Sequence, residues 1–517
     1  MKTPDWYKIK GYYHISPKAS ISQSSINRNI KRITNPDYVS KYGFFPLLHV
    51  IIKQRRFKKD PTTKKRSYTS TKNGVTKSNA KERPLHYANH QDALIFSYYA
   101  QKFSELYEIK LKECPAFSDT ITAYRKILDL ETQKGKSNIH FAKEVFDEIK
   151  SRTVSESECI ALAFDIESYF SSLDHVILKN QLELITGRPL NPDQQNVFNA
   201  STNFSFVYKN DLRNNIFNKR KKNLDEKKLA KIRNKLGFDA FFESPKDFRN
   251  AVKDGSIRVY KNSFKNKLTG KIKGIPQGLP ISAVFGNIYL YQFDKKIYTE
   301  LVESRGCFYR RYSDDIIILT TRKDSDFVLS FIDNEISKFN VHISRDKTEQ
   351  FAFKKILTGN SYRIKCFGFD KKESNSERLL TYLGFQFDGE KPLIKSANLS
   401  KFYRRMIYAV KRKCRRAIKL SDESSLKPVI FKRQLYKMYR SIDLDKETVK
   451  FRNFKRFTKI ETGEFRLTVE KMKDVEQGNY FSYVKRASEI MDEPAILKQL
   501  RNERKIFNQA IVKHLNK

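Results

Sequence analysis

The sequence predicts a mixed α/β protein, and three stretches carry that prediction. Phe308-Tyr309-Arg310-Arg311-Tyr312 and Ile316-Ile317-Ile318-Leu319 read as two strands, rich in aromatic and β-branched residues, with a polar bend between them. Ile160-Ala161-Leu162-Ala163-Phe164 is a short apolar run bounded by polar residues, which reads as a buried strand delivering Asp165 at its end. Apolar residues recur at helical spacing before these strands, as in Ala93, Phe96, Tyr99, Ala100, Phe103, Leu106 and Tyr107, and again from Phe402 onward.

The remaining elements follow in chain order. Residues 1 to about 80 mix aromatic and basic side chains, and the Lys/Ser/Thr-rich stretch 58–81 reads as a flexible connection or an exposed hairpin. Residues 88 to about 150 read as helical. A basic insertion spans 208–236, with Lys219-Arg220-Lys221-Lys222, Lys227-Lys228, Lys231, Arg233 and Lys235; a solvated helix face and a nucleic-acid contact explain it equally well. Gly274-Ile275-Pro276-Gln277-Gly278-Leu279-Pro280-Ile281-Ser282-Ala283 reads as a Gly/Pro turn leading into an apolar helix. Beyond about 390 the chain reads as helical and basic: Tyr403, Ile407, Val410, Cys414 and Ala417 form an apolar stripe, ringed by Arg404, Arg405, Lys411, Arg412, Arg415 and Arg416. These shifts divide the chain at about 160 and 390.

Composition narrows the function classes. The 517 residues suffice for two to four domains, and 39% apolar content with 31% charged residues describes a globular protein with a polar surface. Lys and Arg number 102 against 58 Asp and Glu, a net charge of +44. Such an excess repels itself unless a polyanion neutralises it, so nucleic acid is the first partner to consider, although biased genomic base composition also raises Lys content. Five cysteines, widely spaced and without a Cys-x-x-Cys pair, suggest neither a disulfide framework nor a zinc knuckle. Met1-Lys2-Thr3-Pro4-Asp5-Trp6 lacks a basic-then-apolar leader and no apolar run reaches membrane-spanning length, so a cytoplasmic location without membrane contact is expected.

Tyr312-Ser313-Asp314-Asp315 places two carboxylates at the bend of the hairpin, where a rigid scaffold would project them into a cleft. Asp165 supplies a third from a separate strand end. Transfer of a nucleotidyl group uses two divalent ions about 4 Å apart, one activating a hydroxyl and one holding the triphosphate. Magnesium prefers oxygen ligands, so carboxylates from two rigid elements, Asp165 and Asp314, suit that chemistry.

In this order and content the motifs Asp165-Ile166-Glu167-Ser168-Tyr169-Phe170, Pro276-Gln277-Gly278-Leu279-Pro280-Ile281-Ser282 and Tyr312-Ser313-Asp314-Asp315 resemble those of the reverse transcriptases, and among them the bacterial retron, group II intron and phage-defence enzymes. The resemblance runs from about Arg83 to Gly384. It implies a right-hand polymerase: residues 1–160 as N-terminal region and fingers, 161–389 as a ferredoxin-like antiparallel palm sheet backed by helices with interleaved fingers segments, and 390–517 as a helical, basic thumb. It also implies RNA-directed DNA synthesis with two Mg²⁺ ions, an RNA template, deoxynucleoside triphosphates and a DNA product.

Residue roles are implied by the same motifs. Asp165 and Asp314 would ligate the metals, with the Ile166 carbonyl as a further oxygen and Asp315 tuning the site. Arg83 would clamp the triphosphate, with Lys81 and Arg125 adding charge. Gln277 and Gly278 would lie under the templating pair, Lys347 near the incoming nucleotide, and Leu383 and Gly384 at the primer end. Phe170 matches the family's bulky sugar gate, which favours deoxynucleotides.

Two departures stand out: Ser282-Ala283 where many relatives have Ser-Pro, and Ser313 at the variable box position. Arg83-Pro84-Leu85 with His90-Gln91-Asp92-Ala93, Ala123-Tyr124-Arg125, and Gly478-Asn479-Tyr480-Phe481-Ser482-Tyr483 look like defence-associated enzymes, which implies a dedicated non-coding RNA, a second gene product or a homo-oligomer as partners. The alternatives are a retron polymerase or intron maturase, an RNA-dependent RNA polymerase, which Phe170 disfavours, and a silent RNA-binding protein, against which the intact acids argue.

Overall fold

The computed structural model describes residues 3–16, 23–55, 57–59, 65–72, 75–212, 226–237, 240–266, 269–369, 376–424, 427–439, 450–474 and 478–515. Its centre is a five-stranded antiparallel sheet in the spatial order Phe308–Tyr312, Asp315–Thr320, Glu158–Asp165, Glu349–Thr358 and Ser361–Gly368. The first four strands in chain order are joined by helices Ser282–Tyr289 and Tyr291–Ile297, by a tight hairpin, and by helix Ser325–Ser337. This strand–helix–strand–strand–helix–strand order, with the first and third strands central, is the ferredoxin-like arrangement.

The sheet is covered on both faces. Ile160, Leu162, Phe164, Ile316 and Ile318 bury into one core cluster, while Cys159, Ala161, Ile317, Leu319, Phe351 and Phe353 bury into another. Side chains alternate between faces along a strand, so two covered faces demand the unbroken apolar runs seen at 160–164 and 316–319.

A second sheet, ordered Lys81–Tyr87, Leu47–Gln54, Ser205–Tyr208 and Tyr260–Lys261, is assembled from segments on either side of the first central strand. Its own core of Ile15, Leu48, Val207, Leu229, Phe241, Phe242, Phe248 and Ile257 includes helix Glu226–Leu236. The stretch 58–81 follows the hairpin alternative, forming two small ribbons, Lys58–Lys59 with Arg66–Ser67 and Thr69–Lys72 with Val75–Ser78. Lys219-Arg220-Lys221-Lys222 lie outside the described residues.

Helix His90–Lys112 stops at Cys114-Pro115, and helix Asn138–Glu156 begins only after an irregular segment, so the helical reading of 88–150 is interrupted between 119 and 137. Proline cannot donate an N–H within a helix, and it sits here at the start of the short helix Pro115–Ser118.

The C-terminal part departs from an all-helical thumb. Helix Ser396–Ser424 is present, with Phe402, Met406, Ala409, Val410, Cys414 and Ala417 buried. Tyr403 and Ile407 are only half-buried, so the apolar stripe is wider than the sequence spacing indicates. Between the later helices, however, Lys450–Lys459 and Phe465–Asp474 pair as a ten-residue antiparallel hairpin. Phenylalanines at 451, 454 and 457 recur every three residues and suggest a helix. The Gly463 turn, at φ 82°, and full pairing with the return strand decide for β structure. Among the described residues no helix is long and apolar enough to cross a membrane.

Candidate active site

Asp315 stands directly opposite Asp165 in the register that joins the two central strands, so their side chains share one face of the sheet. Asp314 lies one residue earlier, in the two-residue turn closed by the Tyr312–Asp315 pair. The turn is pinned to the neighbouring strand end, because the Ile166 N–H donates to the Asp314 carbonyl at 3.0 Å. Ser313 supplies the reversal with φ 61°, a left-handed conformation that costs a serine about 1 kcal/mol or more.

Asp314 and Asp315, set beside Asp165, both resist ionising. Asp314 is shifted upward by desolvation and then by Asp165. Asp315 is pushed up to about 7 by desolvation first, then by Asp314 and Asp165. Its surface is open to the cleft, yet the surrounding walls withhold enough water to favour the neutral acid. Lys347 compensates part of the charge: its ammonium donates to Asp165 Oδ2. The segment carrying it docks on the strand end through Ser344 N–H to the Asp165 carbonyl at 2.8 Å and Glu167 N–H to the His342 carbonyl at 2.9 Å.

Asp165, Tyr312, Asp315, Lys347, Leu383 and Gly384 line one open cleft of about 700 Å³. Leu383 and Gly384, with φ 44° and 94°, form the turn between Leu380–Tyr382 and Phe385–Phe387. Asn138 Nδ2 donates to the Leu383 carbonyl at 3.0 Å, and the Lys395 N–H to the Gly384 carbonyl at 3.0 Å, fixing that turn across the cleft from the acids. The donor set suits a hard divalent cation: Asp165 and Asp315 line the cleft, and Asp314, which does not line it, lies near enough to feel the charge of Asp165. Among the described residues no group of three or more His, Cys, Asp or Glu closes around an ion, so the acids provide part of a coordination shell that water and phosphate oxygens would complete.

The other motifs join this centre through the backbone. The Phe170 carbonyl accepts from the Ile275 N–H at 2.8 Å, and the half-buried Phe170 ring lies over Gly286. The Gln277 carbonyl accepts from the His86 N–H at 2.9 Å, tying the Gly/Pro turn to the strand that carries Lys81 and Arg83. Gly278 has φ 118°, and a Cβ there would stand 2.7 Å from the His86 carbonyl oxygen, so only glycine permits this approach. Lys81 is near enough to lower the proton affinity of Asp314, while Arg83 is exposed on its strand opposite Ile52. Phe170, Gln277, Arg83 and Lys81 do not line the cleft that holds Asp165 and Asp315.

The reverse transcriptase (RNA-dependent DNA polymerase) family profile matches residues 93–387, more than half of the chain. The chain belongs to the reverse transcriptase family.

Among solved structures, this reverse transcriptase is similar to telomerase from Candida albicans in complex with a TWJ fragment of telomeric RNA, at 9% identity and TM-score 0.36, covering 75% of this chain and 52% of that one. Apo telomerase from Candida tropicalis truncated from its C-terminal domain gives 12% identity and TM-score 0.35, covering 71% and 60%. Apo telomerase from Candida tropicalis gives 13% identity and TM-score 0.33, covering 76% and 57%. The chain thus spans only half to three-fifths of the length of these structures. No curated protein sequence matches it.

One expected nucleotide contact of the reverse transcriptase is corrected by the geometry. Arg125 directs Nε and Nη2 to Glu108 at 2.7 and 2.8 Å, Nη1 to the Ser118 and Ile121 carbonyls, and Nη2 also to Ser118 Oγ at 2.8 Å. All five guanidinium N–H groups are engaged, and the side chain is 6% exposed. Arg125 therefore braces the irregular segment after helix His90–Lys112 and has no donor left for a triphosphate.

A second buried arginine escapes sequence reading altogether. Arg311 bonds Asp294 through Nε and Nη2 and sends Nη1 to the Ser313 carbonyl at 3.2 Å, immediately before Asp314. Tyr309 Oη adds a third bond to Asp294 at 2.7 Å. The signal in the sequence is a charge two residues from Tyr309, on the strand face that packs inward. Asn287 links the same network to the Ala123 carbonyl at 2.7 Å.

Proposed function

We propose that this chain is an RNA-directed DNA polymerase that extends a primer along an RNA template with deoxynucleoside triphosphates, using two Mg²⁺ ions. The observation that carries this reading is the pairing of Asp315 with Asp165, with Asp314 in the adjoining turn, on a palm sheet of the reverse transcriptase family. Asp165, Asp314 and the Ile166 carbonyl would hold the metals. Bound there, divalent ions lower the pKa of the attacking hydroxyl and neutralise charge on the triphosphate.

The chain's own residues do the rest. Asp315, facing Asp165 across the ladder, tunes the site from beside the metal ligands. Lys347 pairs with Asp165 and is placed to turn to a phosphate when a cation takes over that oxygen. Arg83 and Lys81 approach the triphosphate from the fingers strand. Gln277 and Gly278 present bare backbone to the templating pair, Phe170 excludes a 2′-hydroxyl, and the Leu383–Gly384 turn holds the primer end.

The biological setting we propose is bacterial antiphage defence, with a dedicated non-coding RNA as template, a cytoplasmic location, and a second operon product or a second copy of the chain as partner. The division at about 160 and 390 belongs to the same reading. Its support is the likeness of Arg83-Pro84-Leu85, Ala123-Tyr124-Arg125 and the 478–483 segment to defence-associated enzymes.

Asp314→Ala should abolish Mg²⁺-dependent incorporation while leaving RNA binding nearly intact; undiminished synthesis by this variant would refute the metal assignment. Sequencing the RNA that co-purifies tests the setting: a short structured transcript supports it, and an excised intron points instead to a maturase.

A further inference from the structure

The C-terminal hairpin joins the primer-end side of the catalytic cleft to the core of the second sheet. Its base lies on the primer-end side. The return strand Phe465–Asp474 leads into helix Tyr480–Ile490, whose Tyr480 ring stacks on Phe402 with centroids 4.6 Å apart. One turn later Tyr483 Oη accepts from Asn138 Nδ2 at 3.2 Å, and the same amide donates to the Leu383 carbonyl in the turn that lines the cleft.

The tip reaches the helix that packs on the second sheet. Beyond the Gly463 turn, the Phe465 ring covers Gly237: a Cβ on that glycine would fall 2.5 Å from Phe465 Cδ1, inside van der Waals contact. Gly237 terminates helix Glu226–Leu236, and its φ of 69° is the left-handed conformation favoured at a helix end. That helix is anchored by Leu229 and Ile232, both almost fully buried, and Leu229 packs with Leu48 and Val207 of the second sheet. The same sheet contains Lys81–Tyr87, the strand that brings Lys81 towards Asp314.

Ten residues of extended chain span about 34 Å, enough for such a ribbon to reach from one wall of a nucleic-acid cleft to the other. The geometry points to a closed strap: we infer that the 450–474 hairpin, seated through Phe465 on Gly237, completes a ring with the palm and the second sheet, and that the template–product duplex runs through it. The inference rests on the polymerase reading for the identity of the enclosed partner. The seat joins the end of helix Glu226–Leu236 to the start of the return strand without a covalent link, which suits a clasp that opens to load nucleic acid and then closes. A polymerase so closed would release its template rarely between additions.

The test uses the full chain with Leu236→Cys and the exposed Glu464→Cys, which keeps the Phe465 ring in place, and Cys114→Ser to remove the one native thiol that is not buried. The two new thiols are joined by a short bis-maleimide before or after addition of a labelled DNA primer annealed to a closed circular RNA. Cross-linking first should abolish capture of the circle while a linear RNA of the same length, with free ends, still threads. Cross-linking after loading should leave the circle bound through a high-salt wash.

Undiminished capture of the circle by the pre-linked protein, or failure of the two thiols to cross-link at all, overturns the strap. Phe465→Asp in the unlinked chain should shorten the product made in a single binding event; unchanged product length also counts against it. Capture is scored by the label without synthesis. A protein that traps the circle but never extends the primer would defeat the polymerase reading and leave the strap standing, whereas normal extension with free loading of the pre-linked protein defeats only the strap.

Discussion

Arg311 and Asp294, both with 0% of the side chain exposed, meet in two parallel hydrogen bonds of 2.7 and 2.5 Å beneath the turn that carries Asp314. The pair connects helix Tyr291–Ile297 to strand Phe308–Tyr312; Arg311 Nη1 also donates to the Ser313 carbonyl, and two further donations go to Asn287 at 3.4 Å. Charges so deep gain little net stability as a pair, but either one alone is expensive. Their placement makes them positioning residues for the catalytic turn.

Arg311→Met should lower the unfolding free energy by about 3–5 kcal/mol, because it strands the Asp294 carboxylate without its partner. Adding Asp294→Leu should recover part of that loss. Urea midpoints of the two variants check this, and a double variant less stable than the single one would contradict the account. Incorporation should remain impaired in the double variant even at a temperature where it is fully folded, since the Ser313 carbonyl has lost its anchor.

Gly278→Ala tests the close approach of the Gly/Pro turn to the His86 carbonyl. With φ at 118° and only 2.7 Å of room, the substitution should cost about 1–3 kcal/mol and pull Gln277 away from His86. The KM for deoxynucleotides should rise with RNA affinity unchanged. Unaltered stability together with unaltered KM would show that the backbone relaxes freely here.

Arg125→Lys distinguishes a brace from a phosphate ligand. A lysine replaces five fixed N–H groups with three, so stability should fall by about 1–3 kcal/mol. The KM for deoxynucleotides, measured well below the melting temperature, should stay at the wild-type value. The reverse pattern, normal melting with a raised KM, would restore the triphosphate role.

His14 gives a pH dependence of known sign. Its Nδ1 accepts from the Ile15 N–H at 2.8 Å and its Nε2 donates to the Tyr87 carbonyl at 3.0 Å, so the neutral ring is the one that fits. Burial pushes its pKa down to about 3. The folded-state value lies below the unfolded one, so this contribution is full above about pH 6.5 and is lost as pH falls towards 3, at up to about 1.4 kcal/mol per pH unit. Chemical-denaturation midpoints for wild type and His14→Gln should converge as the solution is acidified; parallel curves would exclude His14 as the source.

The legible parts of the fold are those whose causes lie within a few residues. An apolar run between polar flanks gives the strand that ends on Asp165, and a polar bend between aromatic and β-branched runs gives the 308–320 hairpin. The pairing of Asp315 with Asp165 is set by the assembly of the sheet and cannot be read from either segment alone. Arg125 shows the same limit from the other side, because the partners that occupy it, Glu108, Ser118 and Ile121, are gathered by a chain reversal that no local pattern announces. Phenylalanines at 451, 454 and 457 favour a helix by spacing, and only the facing strand 465–474 overrides them.

The register at the centre of the sheet also governs how chains of this kind can drift in length. Extra residues at an exposed turn such as Asp254-Gly255-Ser256 would leave the acids in place, because the cost of closing a loop grows only slowly with its length. One residue inserted within Glu158–Asp165 or Asp315–Thr320 would rotate its carboxylate to the opposite side of the sheet. Added length is therefore absorbed at such turns and forbidden by the unit in the two strands.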